Sequence, residues 1–286
     1  MDKMTVKAYA KINIGLDVTG KTDNGYHLLK SIMQQVDLYD YVTVEKINEG
    51  IVFECNSSDV PSDDTNLAVK AAKLMKEKYG IESGIKIILD KRIPVAAGMA
   101  GGSTDGAAVI TGINEVWKLG LSLQEMIDTG VKLGADIPFC ILGGCALAEG
   151  IGEKLTKMEN HSTFKAVIAK PPINVSTKHV YQDLKLAEVT HPDMDKVIEG
   201  IKTGDNELIV KNMGNVLATV TENDYEIINI LKKEMLDNGA DGSLMSGSGP
   251  TVFGLFSDEK KAESAESSLR KLHPDIFVKM VDFIKG

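Results

Sequence analysis

Apolar residues along the chain recur with two periods, and the period changes at turn signals. Residues 4–18 alternate as a strand does, and 42–53 read as two short strands joined near Asn48-Glu49-Gly50. Leu67, Ala71 and Leu74-Met75 share one side of a helix over 67–78. Asp63-Asp64-Thr65-Asn66 precedes it, and an Asp or Thr there would cap it. A strand is predicted at 85–89, a helix at 107–117, and another at 122–133 that opens on the cap Ser122 and stops at Gly134. Pro138 suits the first turn of a further helix, entered from Asp136. Farther on, strands are predicted at 164–169, 251–256 and 277–281, with helices at 176–184, 193–201, 207–217, 224–236 and 258–272. The class is α+β, and the polar stretch 158–163 divides the chain into 1–157 and 158–286.

Two features depart from this plain pattern. Lys7, Lys11 and Asn13 leave the same face of the first strand, a row that the wetted side of a sheet explains unless another motif needs it. Between strand 85–89 and helix 107–117 lies Pro94-Val95-Ala96-Ala97-Gly98-Met99-Ala100-Gly101-Gly102-Ser103-Thr104-Asp105, nearly bare of bulky side chains. Such a loop lets backbone N–H groups approach a ligand, and a helix N-terminus adds roughly half a positive charge, so both suit a phosphate. A tight packing connection would also use small residues; Ser103 and Thr104, with hydroxyls at the helix start, favour phosphate. The loop has no Lys for a Walker motif, no G-x-G-x-x-G, and Asp105 where a nucleophile elbow needs glycine.

Composition narrows the picture further. Of 286 residues, 43% are hydrophobic and 26% charged, the balance of a soluble globular protein. The formal charge of −9 argues against a general nucleic-acid binder. No apolar run approaches a membrane span, and Met1-Asp2-Lys3 leads into a strand without a signal segment, so no membrane partner and a cytoplasmic location are expected. Cys55, Cys140 and Cys145 cannot all pair and read as buried small apolar residues of a reducing compartment.

The glycine loop resembles the phosphate loop of the GHMP kinases, with Met99 for the usual Leu and Thr104-Asp105 for the second Ser and a small residue. The resemblance implies two domains: a mixed βαβ ATP-binding domain, and an antiparallel, ferredoxin-like sheet backed by helices. It assigns Pro94, Val95, Ala96, Ala97, Gly98, Met99, Ala100, Gly101, Gly102, Ser103 and Thr104 to ATP, and Asn66 to the border of the adenine pocket. Ala10-Lys11-Ile12-Asn13-Ile14-Gly15-Leu16 is similar to the first-strand signature of one subgroup, whose acceptor alcohol carries a cytidine diphosphate head. After the turn Asp23-Asn24-Gly25, Tyr26 would stack on the cytosine, with Tyr181 opposite, His27 at its edge and Asn13 also on the substrate.

Gly134-Ala135-Asp136-Ile137-Pro138 is similar to the segment that carries the family's catalytic aspartate, although locally Asp136 reads as a cap. By resemblance Asp136 takes the hydroxyl proton, while Lys11 sits between it and the γ-phosphate. Mg2+ would come with ATP, held by phosphate and Ser103 or Thr104, since no glutamate ligand is identified. Ser246-Gly247-Ser248-Gly249 reads as a hairpin, and in this family such a motif supports the phosphate loop. A kinase of homoserine or mevalonate type would need no cytosine clamp, and a non-catalytic nucleotide-binding regulator should lack Lys11 or Asp136. A monomer or weak homodimer is expected.

Overall fold

The computed structural model describes residues 2–22 and 25–285, so Asp23 and Asn24 of the expected turn lie outside the described residues. In chain order the elements are β1 (Lys3–Lys21), β2 (His27–Ile47), β3 (Ile51–Cys55), α1 (Leu67–Lys78), β4 (Gly84–Asp90), α2 (Gly101–Trp117), α3 (Leu123–Val131) and α4 (Ile137–Leu142). Next come β5 (Cys145–Gly150), β6 (Lys154–Met158), β7 (Lys165–Lys170), α5 (Thr177–Asp183), α6 (Met194–Thr203) and α7 (Asn206–Asn212). The chain finishes with α8 (Ala218–Asp224), α9 (Glu226–Asp237), β8 (Gly242–Met245), β9 (Val252–Phe256), α10 (Glu259–Leu272) and β10 (Phe277–Asp282). Contacts divide it into one unit of Met1–Ala10, Leu38–Val95 and Ala100–Gly143, and a second of Lys11–Asp37, Ala96–Met99 and Gly144–Gly286. β1 and β2 each run on from one unit into the other.

In the first unit β4 pairs antiparallel with the later half of β2, from Tyr41↔Asp90 to Ile47↔Gly84. On its other side β4 pairs parallel with β3, and α1 makes the crossover between them. The strands at 42–53 therefore do not fold back on each other as neighbours. A parallel partner requires a crossover, and the alternating pattern marks a strand without naming its partner. The core sets Val42, Val44, Ile85, Ile87 and Leu89 against Ala68, Ala71, Met75, Ala108, Ile110 and Ile113 of α1 and α2. The two helices come close at Gly106, where an added Cβ would lie 3.2 Å from the Leu67 carbonyl oxygen. The cap of α1 is Asn66, whose Oδ1 accepts from the Ala68 amide at 2.8 Å, and not an Asp or Thr. Asp63 instead accepts from the Thr65 amide, one step too early for the helix.

In the second unit the early half of β2 pairs with β5, and β5 with β6, both antiparallel. These two strands were not expected, nor was the stretch of β2 from His27 to Tyr41. That stretch buries Ser31, Gln34, Gln35 and Asp40, which break its apolar alternation. Each is compensated: the Gln35 side-chain carbonyl, for example, accepts from the Gly144 amide at 2.9 Å. A separate four-stranded sheet in the order β10-β7-β9-β8 is antiparallel throughout, with α9 and α10 on its core through Leu231, Met235, Ala262 and Leu269. The helix expected over 207–217 stops at Asn212. Gly214 and Val216 instead bond the backbone of Leu16, at 2.8 and 3.0 Å, and the short α8 follows. No disulfide joins the three cysteines. Only Cys145 is buried, which pushes its thiol up to about 12, whereas Cys55 and Cys140 are half-buried. Among the described residues no helix is long and apolar enough to cross a membrane.

The first unit also holds a buried ionic group. Lys91 Nζ donates to Asp40 Oδ2 at 2.6 Å and to Asp105 Oδ2 at 2.7 Å. Asp40 Oδ1 accepts from the amides of Arg92 and Ile93, whereas Asp105 Oδ1 is buried with no hydrogen-bond partner among the described residues. Burial raises the Asp105 carboxyl to about 7, with Lys91 opposing the rise and Asp40 adding to it. Between the ordinary carboxylate range and that value the folded chain keeps a proton the unfolded chain has released. Stability is therefore lost as pH rises through this window. Asp105→Asn carries no such proton, so the variant should gain on the parent by on the order of 1–3 kcal/mol between pH 4 and pH 8. Urea unfolding at several pH values reads this directly, and parallel pH profiles for the two chains would refute it.

Candidate active site

Lys11 and Asn13 stand on β1 where it enters the second unit, and they are 4% and 1% exposed. The wetted-face reading therefore fails for both; it holds only for Lys7, which is exposed and lies over the Tyr39 ring. A buried ammonium needs oxygen partners. Lys11 Nζ donates to Asn13 Oδ1 at 2.7 Å and, at a longer 3.4 Å, to the Gly98 carbonyl. Asn13 Nδ2 donates to Ser31 Oγ at 2.8 Å, and Ser31 Oγ to the Gly15 carbonyl at 2.9 Å. This relay fixes which way the Asn13 amide points, and hence which oxygen meets Lys11.

The glycine loop is tied to the same place. The Lys11 amide donates to the Met99 carbonyl at 3.1 Å, and Ser246 Oγ donates to the Gly98 carbonyl at 3.1 Å. Gly98 has φ +71°, and a Cβ there would lie 2.5 Å from the Ser246 carbonyl oxygen, so only glycine fits. Ser246-Gly247-Ser248-Gly249 does join the hairpin strands β8 and β9. Asn215 Nδ2 holds it by the Met245 and Gly247 carbonyls at 2.8 and 2.7 Å, and Thr221 Oγ1 by the Ser248 carbonyl at 3.2 Å. Ser31, Asn215 and Thr221 escaped the sequence reading. The Gly214-Asn215 pair inside an expected helix was the available signal for a break.

Along the loop itself, Ala97, Met99 and Thr104 are buried, and Pro94, Gly98, Ala100, Gly101 and Ser103 are half-buried. Val95, Ala96 and Gly102 are exposed. Ala96 and Ala100 take positive φ of 52° and 58°, a conformation uncommon for alanine. Ala100 precedes α2 without any side-chain cap, so the N–H groups of the first turn keep their donors for an outside acceptor. At Gly102 an added Cβ would meet only Leu67 Cδ1, at 3.9 Å. Asp105 is turned to Lys91 and Asp40.

Asp136 and Asn66 belong to the first unit. Asp136 occupies the N-cap position of α4 with helical angles, and its side chain makes no cap hydrogen bond, so the capping account fails. The Asn66 side chain is engaged at both ends, capping α1 and donating to the Pro61 carbonyl at 2.7 Å.

In the second unit Gly25 takes φ +86°, and the Thr22 amide donates to the Tyr26 carbonyl. Tyr26 is 60% exposed. The His27 ring lies 4.9 Å from that of Tyr181, tilted 36°, and its Nε2 is buried with no hydrogen-bond partner among the described residues. Burial, aided by Lys21, pulls this imidazole below its ordinary value, so it is neutral near pH 7. Tyr181 reaches the histidine from α5, which Ser176 caps. Among the described residues no three His, Cys, Asp or Glu side chains gather as metal ligands would.

The chain is similar to known proteins along nearly its whole length. The GHMP kinases N terminal domain matches residues 66–144, and the GHMP kinases C terminal domain matches residues 197–275. A protein of Clostridium botulinum named 4-diphosphocytidyl-2-C-methyl-D-erythritol kinase is 51% identical over 96% of this chain and 99% of its own. One of the same name from Acetivibrio thermocellus is 49% identical over 97% and 99%. A crystal structure of 4-(cytidine 5'-diphospho)-2C-methyl-D-erythritol kinase superimposes with a TM-score of 0.84 at 30% identity, covering 99% of this chain and 100% of that one. A homoserine kinase from Cytophaga hutchinsonii shares the fold at a TM-score of 0.82 and 21% identity, over 100% and 96% of the two chains. Two matching domain descriptions and relatives near half identity along nearly the whole chain make it a member of the GHMP kinase family.

Proposed function

We propose that this chain transfers the γ-phosphoryl group of ATP to the 2-hydroxyl of 4-diphosphocytidyl-2-C-methyl-D-erythritol, a step of isoprenoid biosynthesis. The observation that carries the choice of acceptor is the buried, unpartnered Nε2 of His27 beside Tyr181. A neutral imidazole held there can hydrogen-bond the edge of a base, and Tyr26, exposed next to it, offers a face for stacking. Homoserine and mevalonate have no base to use either. The family match at 66–144 and 197–275 also supports dividing the chain near 157–158 into an ATP-binding domain and a C-terminal one.

Phosphoryl transfer asks for position and charge compensation more than for covalent help. Residues Pro94 to Thr104 cradle the nucleotide phosphates, with Gly102 leaving the space a Cβ would fill. Asn66 borders the adenine. Lys11, aimed by Asn13 and Ser31, offsets charge on the migrating group, and Asp136 accepts the proton of the attacking hydroxyl. Asn13 also contacts the acceptor. Mg2+ bound with ATP would neutralise phosphate charge, and the half-buried Ser103 hydroxyl would hold it better than that of Thr104, which is buried. The net charge of −9 supports a reading without nucleic-acid partners, and we take the enzyme to act in the cytoplasm as a monomer or weak homodimer.

Asp136→Asn keeps the shape and removes the base, so turnover should fall by about 10²–10⁴-fold while ATP still binds. If Lys11 and Asp136 act as one unit, adding Lys11→Met should slow the enzyme little beyond the worse single variant. Turnover of Asp136→Asn within a few-fold of the parent would remove the base assignment. Stacking is worth roughly 1–3 kcal/mol per base, so Tyr26→Ala should raise KM for the cytidylyl substrate about 5- to 150-fold. The KM for ATP should not move. Equal weakening of both substrates would count against the cytosine clamp.

A further inference from the structure

The buried group of Lys91, Asp40 and Asp105 takes no part in the mechanism above, yet it brackets the glycine loop. Lys91 stands just before Pro94, and Asp105 just after Thr104. We propose that Lys91 and Asp105 are positioning residues for the nucleotide: one buried ammonium staples the two ends of the phosphate loop together. The proposal rests on the reading that residues 94–104 cradle the ATP phosphates.

The entry to the loop is fixed on β2. Asp40, fully buried, accepts the Arg92 and Ile93 amides on one oxygen and the Lys91 ammonium on the other. The exit is fixed through the same ammonium, which donates to Asp105 in the second turn of α2. It also lies against the first turn, since a Cβ added to Gly101 would sit 3.1 Å from Lys91 Nζ. The helix whose N-terminus faces the phosphates is thereby anchored to the strand that delivers the loop. The loop between carries two alanines at positive φ, a conformation that persists only where the surroundings enforce it. Neighbouring Arg92 is turned away, pairing with Asp90 and lying over the Tyr41 ring, so it does not duplicate Lys91. A plain contribution to the core would leave the loop unaffected when one partner is changed. A staple would release it.

Asp105→Ala removes the exit anchor and leaves the Lys91–Asp40 pair balanced in charge. Asp105→Asn keeps an oxygen for Lys91 to donate to. Amide hydrogen exchange of nucleotide-free protein, followed by mass spectrometry, should show peptides covering 94–103 exchanging about tenfold faster in Asp105→Ala, with β7–β10 unchanged. In steady state the same variant should raise KM for ATP about tenfold and leave KM for the cytidylyl acceptor alone, since misplaced binding groups cost rates of this order. Asp105→Asn should behave as the parent in both. Unchanged exchange over 94–103 in folded Asp105→Ala would overturn the proposal, as would equal impairment of Asp105→Asn. Asp105→Leu, which fills the space without an acceptor, gives the same reading if the alanine variant does not fold. Unfolding of both would overturn it by making the group core support. A parent chain inactive on the cytidylyl acceptor would sink the functional reading while leaving the exchange result to stand or fall alone.

Discussion

The site depends on the Gly98 carbonyl. Lys11 from β1 and Ser246 from the β8–β9 hairpin both donate to this oxygen, and the absence of a Cβ on Gly98 lets the Ser246 backbone come so close. Lys11, the glycine loop and the hairpin at 246–249 are thus referred to one atom. Any side chain at Gly98 would push the hairpin away and take from Lys11 one of its oxygen partners. Asn215 and Thr221 extend the same constraint by holding the hairpin from behind.

Two buried lysines divide the electrostatic work. Lys91 faces two carboxylates and is held above its ordinary value, because Asp105 and Asp40 outweigh the penalty of burial. Its charge is thus consumed within the protein. Lys11 Nζ, by contrast, donates to neutral oxygens, a side-chain amide and a backbone carbonyl. Asp105 follows the same logic. A carboxylate facing outward near the start of α2 would repel an anion there, and the structure turns it inward to Lys91.

Much of this was legible in the sequence where local chemistry decides it. The strand–glycine loop–helix order around residue 98, the bounds of α1 and the Ser122 cap all follow from composition and period. The Lys11, Asn13, Tyr26, His27 and Asp136 set is what the resemblance to family motifs implies. What escaped depends on distant partners. β2 was only half visible because its buried Gln34, Gln35 and Asp40 look like surface residues until Ile284, Gly144 and the 91–93 segment are known to meet them. Asn215 looked helical for the same reason, and the pairing of Asp105 was hidden because Lys91 shares no motif with it.

The central claim is that this kinase selects its acceptor by a cytidine head. The most direct test measures ADP release from ATP and Mg2+ with 4-diphosphocytidyl-2-C-methyl-D-erythritol, set beside 2-C-methyl-D-erythritol 4-phosphate, homoserine and mevalonate. Turnover with the cytidylyl alcohol alone, with phosphate appearing on its 2-hydroxyl by phosphorus NMR, is the predicted result. Comparable turnover of the alcohol lacking the cytidine, or preference for homoserine or mevalonate, would contradict it.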